Sequence, residues 1–485
     1  MERSEAEAVY GAGRDAVVGV LLALSAQNER LEAQVEKLTG RVARQDERIA
    51  DLERQLGRSS RNSSLPPSQD QKPRKPAPKP KGPSTRSQGA QEGHDGHGRK
   101  LLPIAQVDDV VPHWPLSCSC GHVFCEDERV PVGDPVRHQV QELPQVAAVV
   151  IEHQCLRVRC PDCGGTPRAD MPPEVAGSAF GPRLQAAVVT LSVRNRVSRR
   201  DVVELVEQLF HARISTGTVD AILERAADAL AGPYQDLLDR VRGAGALNID
   251  ETGWRLKGKT RTLWGAFTDR HAVLRVAGNR HEDHARELLG NTTAVVTSDR
   301  WWAYNHLPLK RRQICWSHLR RDFQAQAEGL GAEKELGDIG LAACEQLFTA
   351  WHTYQQTGDR NELNAKILTV RRQLKPVLHK YSGKAPRYKR TRGLAHNLLK
   401  VWPALWTFTK HEGVTPTNNH AERGLRGAVI YRKLSLGSQS ENGETRIGRL
   451  LSAHTTCRLQ GRSLHDYLTD LLAATASGEP APLLA

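Results

Sequence analysis

The stretch "GAGALNIDETGWRLKG", Gly243 to Gly258, decides how the rest of the chain is read. A short apolar run, Ala246, Leu247 and Ile249, ends in two adjacent carboxylates, Asp250 and Glu251, and then enters a basic, glycine-bearing turn. Apolar runs of this kind are typical of buried central strands, whose ends open into a crevice. Side chains alternate along a strand, so Asp250 and Glu251 point to opposite faces. Asp250 is the candidate site residue and Glu251 the decoy.

Working outward, "TRTLWGAFTD" and "HAVLRVAG" read as two further strands, giving three consecutive antiparallel strands. The segment "EDHARELLG" reads as a helix. "TAVVTSDRWWAYN" then repeats the opening pattern, because the run Ala294 to Val296 leads into a lone carboxylate, Asp299. "RRQICWSHLRRDF" supplies a strand and a helix. Three strands, a helix, a strand and a helix is the order of an RNase H-like α/β domain, placed at residues 243–460. In that order the first and fourth strands are neighbours, which would bring Asp250 beside Asp299.

"TPTNNHAERGLRGAVIYRKLSLGS" offers a third acid. Thr417, Asn418 or Asn419 caps a helix there, and Glu422 falls in its first turn, followed by Arg423 and Arg426. Taken singly, an Asp after a strand is usually a turn residue, and a Glu in a first helical turn usually favours the dipole. Together, in this order, three carboxylates would repel one another unless cations neutralised them. Two Mg2+ ions, or Mn2+, fit that need: one activates an attacking hydroxyl and the other stabilises the leaving oxygen. Arginines beside them suit a phosphodiester. Residues 324–412, between the second and third acids, read as an all-helical insertion that clamps DNA, shields a hairpin intermediate, or simply supports packing. Ahead of it, His318, Arg320 and Arg321 are candidate DNA contacts, with a structural histidine as the alternative. Trp301 and Trp302 are expected to fill core rather than to stack on a flipped base.

The remaining blocks point the same way. A chain of 485 residues with a net charge of +13 implies several folded units and a polyanionic partner, nucleic acid first. No apolar run reaches the roughly 18 residues that span a bilayer, so no membrane role and a cytoplasmic location are expected. Residues 1–57 carry a heptad, with Leu24, Leu31, Leu38 and Leu52 at one seam position and Asn28, Val35, Val42, Ile49 and Leu56 at the other. This pattern predicts a parallel coiled-coil dimer, or a helix packed on its own protein. Residues 58–100, rich in proline and lysine, read as a disordered basic linker. Six of the nine cysteines lie between Cys118 and Cys163, in residues 101–170. Cys118 and Cys120 with Cys160 and Cys163 predict a structural Zn2+ site in a zinc-ribbon-like hairpin, with His122, Cys125 and Cys155 as alternative ligands. Residues 171–242 read as a helical, helix-turn-helix-like domain, in which Ser215 or Thr216 caps the second helix and Gly217 sits in the turn. Residues 461–485 read as a C-terminal helix and tail. The expected class is therefore multidomain α+β.

"NIDET", "SDRWWAYN", "CWSHLRRDF" and "TNNHAERGLR" with "RKLSLGSQSENG" resemble signature segments of the IS66 family of bacterial insertion-sequence transposases. "NSSLPPSQD" after a coiled coil and before a zinc segment resembles that family too. The resemblance implies a DDE triad at Asp250, Asp299 and Glu422. It also implies nicking at the element's terminal repeats and joining of 3′-hydroxyls to double-stranded target DNA, by a homodimer or larger assembly. Accessory proteins of the same element are implied as further partners. The Cys118-x-Cys120 spacing departs from the two intervening residues usual in the family. Two other readings stand beside it: a catalytically silent DNA-binding descendant, and a structure-specific nuclease with the same metal chemistry.

Overall fold

The computed structural model describes residues 3–56, 100–144, 146–383 and 389–484. All but the last residue of the linker read at 58–100 lies outside them. In chain order the helices begin with α1 (Arg3–Gly11) and α2 (Arg14–Leu56), separated at Gly13, whose φ of 104° is open to glycine but strained for other residues. They continue with α3 (Pro173–Ala176), α4 (Pro182–Val189), α5 (Arg199–Phe210), α6 (Thr216–Ala229) and α7 (Ala231–Arg242). The strands β1 (Ala246–Leu256), β2 (Lys259–Phe267) and β3 (Ala272–Ala277) precede α8 (Glu282–Leu289), and β4 (Val295–Ser298) and β5 (Arg312–Ile314) precede α9 (Trp316–Ala327). Then come α10 (Ala332–Thr357), α11 (Arg360–Ser382), α12 (Lys389–Lys400), α13 (Asn419–Ser435), α14 (Glu441–Leu459) and α15 (Leu464–Ser477).

The chain divides into two compact units. The smaller holds residues up to Ala229 in its main segment and takes back Leu464–Pro482 from the C-terminus. Its helices α4, α5, α6 and α15 share one apolar interior that includes Val188, Val202, Val219, Ile222, Leu468 and Leu471. Ser215 caps α6 by accepting from the Thr218 N–H at 3.0 Å, so Gly217 lies inside the first helical turn rather than in the connection. Helix α7, read from sequence with this block, instead packs on β3 in the larger unit, where Tyr234 donates to the Leu274 carbonyl. Between the two cysteine groups the expected strands do not form among the described residues. Each cysteine group holds one single bridge, Ser117 with Val123 and Arg157 with Arg168, while Val132, Val136, Val149 and Val150 between the groups face solvent.

The larger unit is built on one mixed sheet in the order β3-β2-β1-β4-β5. β1 is antiparallel to β2 and parallel to β4, with Asn248 opposite Thr297. The basic turn that follows the opening stretch is Lys257–Gly258, both with positive φ, as a two-residue type I′ hairpin requires. The outer strand β3 is covered by α14: Ser452 Oγ accepts from the Leu274 N–H at 2.8 Å and Thr456 Oγ1 from the Ala272 N–H at 3.0 Å. Hydroxyls of a helix thereby satisfy an edge that would otherwise invite another chain.

Helices α10, α11 and α12 pack in succession on α9. Their interior joins Leu336, Leu347, Ile367, Leu374 and Leu398 to the sheet residues Val295 and Ile314 in one apolar cluster. Trp406 lies 5.0 Å from Trp316 and 5.1 Å from Trp402, ring centre to ring centre, at the junction. At Gly337 and Gly340 the helix α10 meets Ala327 and Phe323 so closely that a Cβ would overlap them. The helical insert is thus fused to the sheet through α9.

Candidate functional site

The site is assembled where α13 begins. Asn418, at the N-cap position, is fully buried, and its side chain does not cap the helix. Its Nδ2 instead donates to the Ile249 carbonyl at 2.8 Å, and its Oδ1 accepts from Asn248 Nδ2 at 2.9 Å. Its backbone N–H donates to the Cys315 sulfur at 3.0 Å, ahead of α9. One residue therefore ties together the strand that carries Asp250, the helix that carries Glu422 and the helix that carries His318. His420 adds a bond to the Thr268 carbonyl at 2.7 Å. Close approach completes the arrangement: a Cβ on Gly265, opposite Asp250, would lie 2.6 Å from Phe267 and 3.1 Å from Leu425, and one on Gly424 would overlap Phe267. With hydrogen at both positions, α13 lies directly on β1 and β2.

Asp250 feels the other acids. Its carboxyl is pushed well above the usual range, first by burial and then by the charges of Glu251, Asp299 and Glu422. Asp299 follows β4 in a turn where its Oδ1 accepts from the Trp301 N–H at 2.9 Å. Beneath it Arg312, fully buried, donates to the Asp299 carbonyl at 2.9 Å and to Asn305 at 3.0 Å. Burial lowers the Arg312 pKa to about 10, so it remains a cation at neutral pH and supports the acidic corner from below. Glu422 is 42 % exposed; its Oε1 stands 3.7 Å from His318 Nδ1 and 3.9 Å from Arg321. Burial and the Arg321 charge push the His318 pKa down, and its Nδ1 has no hydrogen-bond partner. His318 and Arg321 therefore face an acid, not open solvent.

Glu251 behaves as alternation requires. Its side chain, 1 % exposed, accepts from the Tyr304 hydroxyl and pairs with Arg280. Burial and the Asp299 charge push its pKa up against those two partners. The tryptophans depart from the core expectation: Trp302 is 43 % exposed and lies edge-on to His281, while Trp301 carries the Arg280 guanidinium 4.3 Å over its ring. Arg312, Tyr304 and Arg280 escaped sequence reading, and Asn418 was read only as a possible helix cap. "TNN" marked a helix start but could not say that one asparagine would be consumed by a strand 169 residues away.

The cysteines form two local pairs. The Cys118 N–H donates to the His122 carbonyl at 2.8 Å, and the Cys160 N–H to the Gly165 carbonyl at 2.7 Å, each closing a tight turn. Hydrogen bonds from Cys120 lower the Cys118 thiol pKa, and those from Cys163 lower that of Cys160. Among the described residues no three His, Cys, Asp or Glu side chains stand ready to hold a metal ion, at the acids or at the cysteines.

Two stability measurements check this geometry. Asn418→Ala removes the side-chain donor to the Ile249 carbonyl and one of the two acceptors of the Asn248 amide, and is expected to cost about 1–3 kcal/mol in chemical denaturation; an unchanged midpoint would remove the clamp. Asp250 binds its proton more tightly folded than unfolded, so its contribution is best below the ordinary value of 3.8 and worsens as pH rises toward the elevated folded value. In chelator at neutral pH, Asp250→Asn should therefore melt higher than the wild type, with the gap closing as pH falls toward that ordinary value. A variant that melts lower at neutral pH contradicts the repulsion.

Residues 177–446 match the sequence profile of the Transposase IS66 family, and residues 22–100 match a family of unknown function, DUF6444. The chain is 25% identical over 411 residues to the uncharacterized protein y4hP of Sinorhizobium fredii, spanning 76% of this chain and 72% of that protein. It is 23% identical over 279 residues to the uncharacterized protein y4qI of the same species, spanning 50% of each. No helix among the described residues is long and apolar enough to cross a membrane. With more than half of its length matched to that profile, the chain belongs to the IS66 family of transposases.

Proposed function

We propose that this transposase binds the terminal repeats of an insertion sequence, nicks them and joins the 3′-hydroxyl ends to target DNA, within an RNase H-like catalytic domain. What supports the reading most is that Asp299, just past β4, and Glu422, on α13, both stand close enough for their charges to act on the Asp250 carboxyl of β1. Repelling carboxylates in a partly buried corner are a hard-oxygen donor set that suits Mg2+ or Mn2+. These three residues would hold two such ions, which when bound activate a hydroxyl and stabilise the leaving oxygen of an in-line displacement.

The chain's own groups do the rest. Asn418 keeps Glu422 over the sheet, and Arg312 keeps the Asp299 turn against β4. Arg321 and the neutral His318 hold Glu422 at the edge of the site. Arg423 and Arg426, on the first turns of α13, take phosphate oxygens of the DNA backbone. Cys118 and Cys120 with Cys160 and Cys163 would hold a structural Zn2+, because each pair already sits in a tight turn in which hydrogen bonds lower the pKa of one thiol.

Asp250→Asn and Glu422→Gln should each abolish strand transfer of labelled element ends in Mg2+ while leaving binding to those ends within about twofold. Cleavage without joining by the wild type would favour a structure-specific nuclease, and binding without cleavage a silent descendant.

The exposed seam of α2, with Leu31, Val35, Leu38 and Val42 all facing solvent, supports a homodimer through a parallel coiled coil. Light scattering should give twice the chain mass for the wild type and one chain mass for a Leu31→Glu, Leu38→Glu double variant. A monomeric wild type would dispose of the zipper.

A further inference from the structure

A cavity of about 1400 Å3 opens beside the start of β1, lined by residues 243–248 and by Thr297 of β4, entirely within the larger unit. Its floor includes Asn248 and Thr297, paired across the two strands and each two positions before an acid, Asp250 or Asp299. Two strand residues advance about 7 Å, so the cavity begins about that far from Asp250 along β1, and the three acids stand beside it without lining it. Its rim on α13 includes Arg423, the neighbour of Glu422. Every element that carries one of the three acids therefore also lines this space.

The lining has a definite chemistry. Arg240, Arg320 and Arg423 reach it from α7, α9 and α13, and none of their guanidinium groups makes a hydrogen bond or ion pair with another described residue. Two carboxylates, Asp269 and Glu412, lie at its margin, so the cationic groups outnumber the acids. Helix α10 supplies both aromatic and polar side chains, with His352 and Gln355 beside the aromatic ones. Phe348 and Trp351 come from α10, and Trp351 is braced from behind by Phe408 at 5.6 Å and Tyr354 at 5.3 Å, ring centre to ring centre. Arginines without partners recruit phosphates, and a braced aromatic ring offers a stacking platform to any base whose face is free. A duplex displays only base edges in its grooves. An aromatic ring beside unpaired arginines thus suits an unpaired strand better than a duplex.

Resting on the transposase reading above, we infer that this cavity is a subsite for unpaired nucleotides of the DNA strand next to the cleaved phosphodiester. Phosphates lie along Arg240, Arg320 and Arg423, and a base stacks on Trp351. The helical insert thereby contributes a substrate wall in addition to its packing.

The test is equilibrium binding of the full chain, in chelator, to three fluorescent probes: a twelve-nucleotide thymidine strand, a blunt duplex, and the same duplex with a thymidine 3′ overhang. Trp351→Ala should weaken the single strand and the overhang about tenfold and leave the blunt duplex unchanged, while Trp351→Phe, which keeps a ring, should restore binding. Arg240→Ala should reduce the salt slope of single-strand binding by about 0.7. Equal losses on all three probes, or no loss on any, overturn the subsite, as does an Ala variant that loses single-strand binding which Phe cannot restore. Free thymidine nucleotide competing as well as the strand would also overturn it, because the cavity would then be a mononucleotide site. Chelator separates this outcome from catalysis: a chain that never joins ends in Mg2+ but shows the selective Trp351 loss refutes the transposition reading and not the subsite.

Discussion

The buried side-chain amide of Asn418 is the constraint from which the rest of the larger unit follows. It joins the Ile249 carbonyl and the Asn248 amide across 169 residues of chain. A buried amide is tolerated only when its donors and acceptors are matched, so β1 and the start of α13 have one relative position. The glycines at 265 and 424 make that position reachable, because any larger residue there would hold the helix off the sheet. The catalytic reading needs an acid on each side of this contact, one residue beyond Ile249 and four beyond Asn418.

The helical insert bears on the same contact from the other side. Cys315 accepts the Asn418 N–H, and Trp316, next in the chain, donates its backbone N–H to Pro416 at 2.9 Å. From Trp316 the apolar cluster runs without a break into α10, α11 and α12. A long excursion between two acids thus does not loosen their geometry. It encloses the start of α9 and the approach to α13 in one packed interior, which resists deformation because interiors are close-packed.

Electrostatics set the opposing demand. Burying Asp250 near three other carboxylates is unfavourable in the folded protein, and the structure compensates unevenly. Glu251 is neutralised by Arg280 and a tyrosine hydroxyl. Asp299 has the buried Arg312 below its backbone carbonyl, and Glu422 has Arg321 and a histidine at the edge. Asp250 alone among these makes no ion pair with a basic side chain among the described residues, and on the proposed reading a divalent ion would relieve that charge.

Sequence alone determined what local chemistry dictates. Apolar runs and alternation marked β1 to β4 and the opposite orientations of Asp250 and Glu251. Glycine in the left-handed region marked the β1–β2 hairpin, and heptads marked the long α2. The same local rules failed at residues 136–160, where valine-rich alternation suggests strands but none forms among the described residues, and at Trp301 and Trp302, where hydrophobicity suggested core. Only the tertiary structure decided that Asn418 bonds to a strand instead of capping its helix, that Arg312 lies beneath Asp299, and that α7 and α15 each pack with the unit other than the one their neighbours in sequence suggest. Each of these depends on which surfaces meet after the chain has collapsed. Contacts between segments more than a hundred residues apart leave no period in the sequence, because they follow from shape and unsatisfied polar groups and not from local propensity.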